Sequence, residues 1–446
     1  MRCHVCSLMR CLINLSINLL ISVTWQSIVL MHNTRPDYAQ KLYSIISESY
    51  ELPTDDYKHH QWLKPLKLRK GSKSEDNFNQ LLEQTFLDPS KGGRNKTQVE
   101  NLRHHWKALL LNLSFVMYQR HWLLIPQDSK YYSDSFYPKR LGISYRPTRH
   151  IVEWLYEHDY VVFLPGRKYK DQPAKARVFP TPKLMELLWS YFLEIEQPIE
   201  PPYLIINKAE GDWDSIADLP ADHPEKQELA TINEFLKPHQ WACKGPVQLK
   251  YKSNAFQGGR LYTAFQSLPD RRMRLRINTL INGEPICEVD FSANHLWLNL
   301  AFNGGIDAGD DPYKTVGEEA GIEPRKLVKK FFTIAMGGDN EVGALHACFK
   351  EGISKENFQK LKDASLKIFP KLELFNGWGI YAQNFEGQIL KNVMLEGVKE
   401  GIVCLPVHDA VAVPSDHIGW ACEEMRYQWD KQMDVSGLAR VTTDNP

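Results

Sequence analysis

The sequence predicts an α+β fold on three observations. Segments whose apolar residues recur at helical spacing, such as 96–122, stand apart from short apolar runs of strand length, such as 286–290. The 446 residues are enough for two or three domains with sizeable cores. A hydrophobic fraction of 43% and a charged fraction of 24% are ordinary for a globular protein.

Changes in composition divide the chain into five ranges. We expect a terminal extension, a helical region, a helix-and-hairpin domain, a connector and a C-terminal domain: 1–30, 31–94, 95–193, 194–245 and 246–446. The extension is apolar, but Asn14, Asn18 and Gln26 interrupt it, so it predicts no membrane span. Because a polar, helix-compatible sequence follows Met31, we expect residues 1–30 to be non-native or disordered.

Charge and cysteine content limit the class of protein. The chain has 54 basic and 54 acidic residues, so only a local basic patch would attract nucleic acid. Its 8 cysteines are scattered, and several lie in apolar runs. This pattern favours reduced thiols in a cytoplasmic protein over a disulfide framework.

The range 95–193 combines two helices, 96–122 and 141–158, with two strands, 160–164 and 176–179. The loop between the strands is basic, with Arg167, Lys168, Lys170 and Lys175. A helix followed by a two-stranded basic wing resembles a winged-helix domain, which implies DNA binding through these cations. A charged hairpin that only keeps its edge soluble is equally supported.

The range 194–245 is predicted to be an irregular connector. It contains six prolines, and its clearest strand is 203–206.

Three segments of the C-terminal domain carry the candidate chemistry. Asp290 ends the strand-like run 286–290, and Ser292 is a predicted N-cap of the helix that follows. The segment 324–338 predicts a helix with Arg325 and Lys329 on one face.

The third segment, 403–414, predicts two short strands with His408 and Asp409 at the bend. Two carboxylates and a basic helix suit metal-dependent nucleotide transfer, with two Mg²⁺ or Mn²⁺ ions roughly 3.5–4 Å apart. The cations of the helix would neutralise a triphosphate.

In this order the segments resemble motifs A, B and C of the family A DNA polymerases and of the single-subunit phage-type RNA polymerases. Two further elements support the resemblance. The segment Gly258 to Arg271, which contains Arg260, is similar to the Gly-Arg segment that contacts template and primer in that superfamily. Asp311-Pro312-Tyr313 is similar to the acidic-aromatic element ahead of the motif B helix.

The resemblance implies a palm and fingers domain and a role for each matching residue. Asp290 and Asp409 would bind the metal ions, and His408 would lie near the primer end or the second carboxylate. The residues facing the incoming nucleotide would be Arg325, Lys329, His295 and Met336. Arg260 and Arg271 would contact nucleic acid.

The chain also departs from the family pattern. His295 stands where family A DNA polymerases usually carry a Glu that helps to exclude the ribose 2'-hydroxyl. The aromatic residue expected near the end of the basic helix corresponds to Gly337 without a gap and to Met336 with a one-residue gap. Ala410 replaces a Glu that the RNA polymerase relatives also lack. The choice of sugar is therefore left open.

Simpler interpretations stand beside these. A lone Asp at a strand end is usually a helix cap or turn former, and a basic helix face is usually only solvated. For His295 and His408 the simpler interpretation is an ordinary hydrogen-bonded histidine. We place Glu386 at the start of a long helix, where contact with the site and a surface position are equally supported.

We expect the protein to be a DNA-directed DNA polymerase of a phage or mobile element. Its expected partners are DNA, nucleoside triphosphates and other replication proteins. Synthesis of RNA by a primase or transcriptase is one alternative, and incorporation of dNTP or rNTP distinguishes the two. A DNA-binding regulator with a degenerate palm is the other alternative, and the intact Asp290 and Asp409 argue against it.

Overall fold

The computed structural model describes residues 33–446 apart from 36, 39–40, 43, 45–49, 56–58, 88–94, 134–136, 138–140, 167–174, 207–221, 253, 270–272 and 305–308. The expectations for residues 1–30, for Arg167, Lys168 and Lys170, and for Arg271 lie outside the described residues. Internal contacts divide the chain into two units. Unit 1 contains the described residues up to Pro198 with Gln240–Gly245 and Ser267–Pro285, and unit 2 contains Ile199–His239, Pro246–Gln266 and Ile286–Pro446.

Helices supply most of the regular structure of the described residues. The helices are α1 (Lys73–Leu81), α2 (Lys96–Gln119), α3 (Lys130–Ser133), α4 (Tyr145–Glu157), α5 (Pro182–Leu188), α6 (Pro224–Leu236), α7 (Asn294–Phe302), α8 (Pro312–Ala320), α9 (Arg325–Gly337), α10 (Glu341–Lys350), α11 (Lys355–Ile368), α12 (Trp378–Glu400) and α13 (Ile418–Met433). The strands are β1 (His60–Gln61), β2 (Lys67–Leu68), β3 (Trp122–Leu124), β4 (Val161–Leu164), β5 (Arg177–Pro180), β6 (Ile195–Glu196), β7 (Leu204–Ile206), β8 (Gln248–Tyr251), β9 (Gly258–Tyr262), β10 (Leu280–Ile281), β11 (Glu284–Phe291), β12 (Leu405–Val407), β13 (Ala410–Pro414) and β14 (Val441–Asp444). The predicted α+β fold is confirmed.

Unit 1 is built around the long helix α2. A capping box starts this helix, because Gln98 N donates to Asn95 Oδ1 at 2.9 Å and Asn95 N donates to Gln98 Oε1 at 3.0 Å. From the third turn on, its side chains are largely buried. The unit also holds a four-stranded sheet of order β1-β3-β5-β4. The predicted hairpin is present as the antiparallel pair β4 and β5, which follows α4 along the chain.

The central sheet of unit 2 has the order β12-β13-β11-β14. Strand β11 lies between β13 and β14 and is antiparallel to both. Its middle residues, 286–289, are buried, which explains why the sequence shows a nearly continuous apolar run there. A second sheet of this unit has the order β7-β8-β9.

Helix α12 packs directly on strand β9 at a glycine. A Cβ atom at Gly387 would lie 1.7 Å from the carbonyl oxygen of Gly259, so only glycine allows this approach. The approach brings the third turn of α12 against the strand that carries Arg260.

Two local predictions were wrong. The region interpreted as an irregular connector contains the 13-residue helix α6, which begins at Pro224 in the favoured first-turn position. Ser292 does not cap α7, because Ala293 takes the N-cap position in a left-handed conformation, with φ 54°, and no side chain caps the helix.

Five described cysteines are free thiols: Cys243, Cys287, Cys348, Cys404 and Cys422. None of the helices in the described part of the chain combines the length and the apolar character needed to cross a membrane.

Candidate functional site

The two candidate metal carboxylates lie at the same end of the central sheet of unit 2. Strand β11 runs to Asp290 and Phe291, and β12 and β13 form a hairpin whose turn is His408 and Asp409. Asp290 pairs with Ala410, the residue directly after Asp409. Paired residues on antiparallel strands have Cα atoms about 4.5–5.5 Å apart, so the register makes Asp290 and Asp409 neighbours.

The turn itself has the predicted form. His408 adopts a left-handed conformation with φ 56°, which reverses the chain between β12 and β13 within two residues. The side chain of His408 is exposed, whereas that of Asp409 is partly buried.

Negative charge is concentrated at this end of the sheet. Burial among protein atoms and the charge of Asp409 raise the pKa of Asp290 from 3.8 to about 7, against the opposing charge of Lys329. Asp290 is nevertheless exposed to solvent. Burial and the charge of Glu386 likewise raise the pKa of Asp409. The carboxylates repel each other, and a cation placed between them would relieve the repulsion.

The donor set fits a hard divalent cation that takes part of its coordination from other molecules. Asp290 and Asp409 offer carboxylate oxygens, the ligands that Mg²⁺ and Mn²⁺ prefer. Among the described residues there is no cluster of three or more His, Cys, Asp or Glu side chains suited to a metal. A Mg²⁺ site commonly uses only one or two protein carboxylates together with water and substrate phosphates, so two carboxylates suffice.

A third carboxylate lies beside this pair. Glu386 of α12 is 0% exposed, which excludes the surface position. It also lies in the third turn of α12 and not at the start of the helix. Arg260 Nε lies 2.7 Å from its Oε1 atom as an ion pair, and Arg260 Nη2 donates to its Oε2 atom at 3.2 Å. His295 Nε2 contacts the same Oε2 atom at 3.0 Å. We call Arg260, His295 and Glu386 the Glu386 network.

The Glu386 network is charged and close to Asp409. Burial alone would raise the pKa of Glu386, but the hydrogen bond with His295 and the charge of Arg260 hold that pKa below its ordinary value. Both His295 and Arg260 also counteract the rise in the pKa of Asp409. Arg260 therefore has an acidic partner within the protein.

The two candidate cations of helix α9, Arg325 and Lys329, have different surroundings. Arg325 Nε donates to Asp311 Oδ2 at 2.5 Å, and the guanidinium lies 5.3 Å from the ring centre of Tyr313. Its charge is thus already paired. Lys329 is exposed, and it is the cation of α9 whose charge acts on Asp290.

The far end of α9 corrects one predicted site residue. Met336 is 2% exposed and belongs to the core, so it does not face a nucleotide. Lys329, Thr333 and Gly337 are exposed and lie four residues apart, so they form one exposed stripe along α9. At Gly337 a Cβ atom would meet nothing within 4 Å, so this end of the stripe is open.

Lys175 belongs to unit 1 and is held by neighbouring rings. Its Nζ atom donates to Tyr131 Oη at 2.5 Å, and it lies 4.9 Å from the ring centre of Trp62. The other predicted nucleic-acid contacts of this hairpin lie outside the described residues.

The sequence analysis missed a second polar cluster in unit 2. Lys391 of α12 is nearly fully buried and pairs with Glu225 at 3.1 Å and Glu228 at 2.6 Å, both on α6. Tyr251 also donates to Glu225 at 2.7 Å. Because α6 was not predicted, its acidic residues had no place in the sequence analysis.

These elements define an α+β fold. The candidate site of the protein is the acidic end of the central sheet of unit 2, which Lys329 and the Glu386 network border. No protein-family model matches the chain, and no curated protein matches it. Among solved structures it is similar to the POL domain of Pol1 from M. smegmatis in complex with DNA primer-template and dNTP, at 14% identity and a TM-score of 0.34. The similarity covers 50% of this chain and 52% of that chain, so the chain spans about half the length of the structure it matches.

Proposed function

We propose that this protein is a template-directed nucleotidyltransferase that uses two divalent metal ions. The observation that carries the proposal is the register of β11 and β13, which pairs Asp290 with Ala410 and so makes Asp290 a neighbour of Asp409. Two carboxylates that share one end of a sheet and repel each other are the arrangement that a pair of cations requires.

Each residue has a limited task in this proposal. Asp290 and Asp409 would hold Mg²⁺ or Mn²⁺, and the bound ions would activate the attacking hydroxyl and stabilise the leaving pyrophosphate. Lys329 neutralises charge on the triphosphate, and Arg325 contributes less because it is paired with Asp311. The Glu386 network fixes Arg260 beside the carboxylates, where its guanidinium contacts the nucleic-acid backbone.

The finer assignment is DNA synthesis from dNTP on a primed DNA template. We place the protein in the cytoplasm and in the replication of a phage or mobile element, together with other replication proteins. The basic hairpin between β4 and β5 supports a separate contact with DNA, as in a winged-helix domain.

RNA synthesis is the second candidate function. Its support is that His295, and not a Glu, follows Asp290 by five residues, and that the exposed stripe of α9 ends at Gly337 without a side chain. Neither His295 nor Gly337 provides the Glu or the aromatic side chain that would exclude a ribose 2'-hydroxyl.

Primer extension tests both candidates. The full chain is given a labelled primer-template with dNTP or rNTP and with Mg²⁺ or Mn²⁺. We expect Asp290→Asn and Asp409→Asn each to lower incorporation about a thousandfold or more, because each removes charge that holds the metals. DNA affinity should change little. Asp416→Asn is the matched control, because Asp416 is exposed and lies beyond the opposite end of β13.

Incorporation of dNTP supports the first candidate, and incorporation of rNTP supports the second. Incorporation that survives in both Asn variants would contradict the two-metal proposal. A wild-type protein that binds DNA but incorporates neither nucleotide set would instead support a regulator with a degenerate palm.

A further inference from the structure

The turn between β8 and β9 presents an aromatic side chain to solvent. Phe256 is 75% exposed, the largest exposed fraction among the large apolar side chains that the structure describes. Isolated exposed apolar residues are common, so exposure alone assigns no role. The turn that carries Phe256 supplies the further observations.

Hydrogen bonds join the described residues of the turn. Phe256 N donates to Asn254 Oδ1 at 2.9 Å, and Gln257 N donates to Asn254 O at 3.2 Å. Lys252 N closes the turn by donating to Gln257 O at 2.8 Å. Backbone and amide contacts therefore position the backbone at Phe256, and its ring is left exposed.

Helix α12 fixes the same turn from outside the hairpin. Asn384 Nδ2 donates to the carbonyl oxygen of Ala255 at 3.1 Å. Asn384 lies two residues before Glu386, which binds Arg260 on β9. One helix thus sets the positions of both the turn that carries Phe256 and the guanidinium beside the site carboxylates.

The hairpin around Phe256 is basic. Its sequence from 248 to 262 contains Lys250, Lys252 and Arg260 and no Asp or Glu. Lys250 is the cross-strand partner of Arg260, so both lie on the same face, and Lys252 is exposed. A basic ribbon with an exposed aromatic residue at its tip matches the way proteins bind single-stranded nucleic acid, in which cations follow the phosphates and rings stack on bases.

Phe256 lies four residues before Arg260, which limits how far apart the two side chains can bind along a polynucleotide. Four extended residues span at most ~13 Å. Successive nucleotides of a strand are about 3.4 Å apart along the helix axis. Because Phe256 lies in the turn before β9, the ~13 Å span is an upper limit, and Phe256 lies within about four nucleotides of the one whose phosphate lies at Arg260.

We propose that Phe256 is a base-stacking residue for an unpaired nucleotide of the strand that follows the β8–β9 hairpin. The inference deepens the proposed function, on which it rests for the presence of a nucleic-acid strand. The ring stacks on the exposed face of the base, and the exposed Lys252 contacts a flanking phosphate. Stacking requires no base sequence, because every base has an aromatic face.

Equilibrium binding of the full chain tests the inference. The probes are a fluorescein-labelled primer-template with a single-stranded 5' overhang and a blunt duplex of the same length, without nucleotides and with a metal chelator. We expect Phe256→Ala to weaken binding of the overhang DNA about tenfold or more and to leave blunt-duplex binding unchanged. Phe256→Tyr keeps a ring and should bind as the wild type does.

Two further measurements strengthen the test. Tyr427→Ala is the matched control, since Tyr427 is an aromatic residue of α13 that is 58% exposed, and we expect it to leave binding unchanged. With 2-aminopurine placed at successive overhang positions, quenching should be strongest at one position and should be lost in Phe256→Ala.

Several results would overturn the inference. These are overhang affinity of Phe256→Ala within twofold of the wild type, an equal loss on blunt duplex, or a wild type that binds neither probe. A different result would refute the proposed function. A wild type that binds the overhang through Phe256 but incorporates no nucleotide refutes that function and leaves the stacking inference intact.

Discussion

The burial of Asp290 and its repulsion by Asp409 make the stability of the protein depend on pH. The pKa of Asp290 is raised from 3.8 to about 7 in the folded protein, so the folded state holds a proton that the unfolded state has released. The stabilising contribution of this proton is fully present below pH 3.8 and is lost as pH rises through about 7.

We therefore expect the urea midpoint in chelator to fall between pH 5 and pH 8, and Asp290→Asn to make that fall smaller. Mg²⁺ should restore more stability to the wild type at pH 8 than at pH 5, because the ion binds the ionised carboxylates. Unfolding curves at fixed ionic strength measure both effects, with Asp416→Asn as the control. Equal pH slopes for the wild type and Asp290→Asn would show that Asp290 does not titrate in this range.

Individual site residues differ in whether the sequence alone can predict them. Asp290 and Asp409 are polar residues that interrupt apolar runs, so a local pattern is enough to find them. The role of Glu386 depends on Arg260 and His295, which are 126 and 91 residues away along the chain. No local pattern contains those contacts. The alignment with a one-residue gap selected Met336 and not Gly337. Neighbouring positions on a helix face different directions, so this shift replaced an exposed position by a buried one.

Among the elements, the contact of α12 with β9 is the most sensitive to substitution. We expect Gly387→Ala to destabilise the protein by about 3 kcal/mol, because the added Cβ would overlap the carbonyl oxygen of Gly259 and force the helix away from the strand. Gly419→Ala is the matched control. Gly419 is an exposed helical glycine with nothing within 4 Å of its Cβ position, so the change should be neutral or stabilising by up to ~1 kcal/mol.

Urea unfolding of both variants measures this difference. A Gly387→Ala protein as stable as the Gly419→Ala protein would mean that the helix can shift without loss.

Elements with a strong period were predictable, and elements that depend on tertiary packing were not. The strands around Asp290 and Asp409 and the helix from Arg325 follow from apolar spacing and from turn residues. Helix α6 was missed because the prolines of its region suggested irregular structure, although Pro224 only marks its start. Ser292 was a reasonable cap by residue type, but the chain reaches α7 through a left-handed Ala293.

For the whole molecule, the two units are expected to contribute differently to DNA binding. The triple variant Arg167→Ala, Lys168→Ala and Lys170→Ala should lower DNA affinity and reduce the slope of log affinity against log salt by about 0.9 for each lost phosphate contact. Incorporation on saturating template should survive. Lys175→Ala should change the salt slope less, because this lysine is bound to Tyr131.

Fluorescence anisotropy over a series of salt concentrations measures these slopes. If the triple variant keeps the wild-type slope, the hairpin only protects its sheet edge. Template capture then depends on Arg260 and Arg271.

The pairing of β11 with β13 also has a consequence for the time course of folding. About 120 residues separate Asp290 from Asp409 along the chain, and the helices α7 to α12 lie between them. Pairs so distant in sequence close late, because a long loop must lose its freedom before the contact forms. The individual helices can form while the two carboxylates are still apart. The proposed metal site therefore exists only after β11 and β13 have paired, and binding of the metal would report that this sheet of unit 2 has assembled.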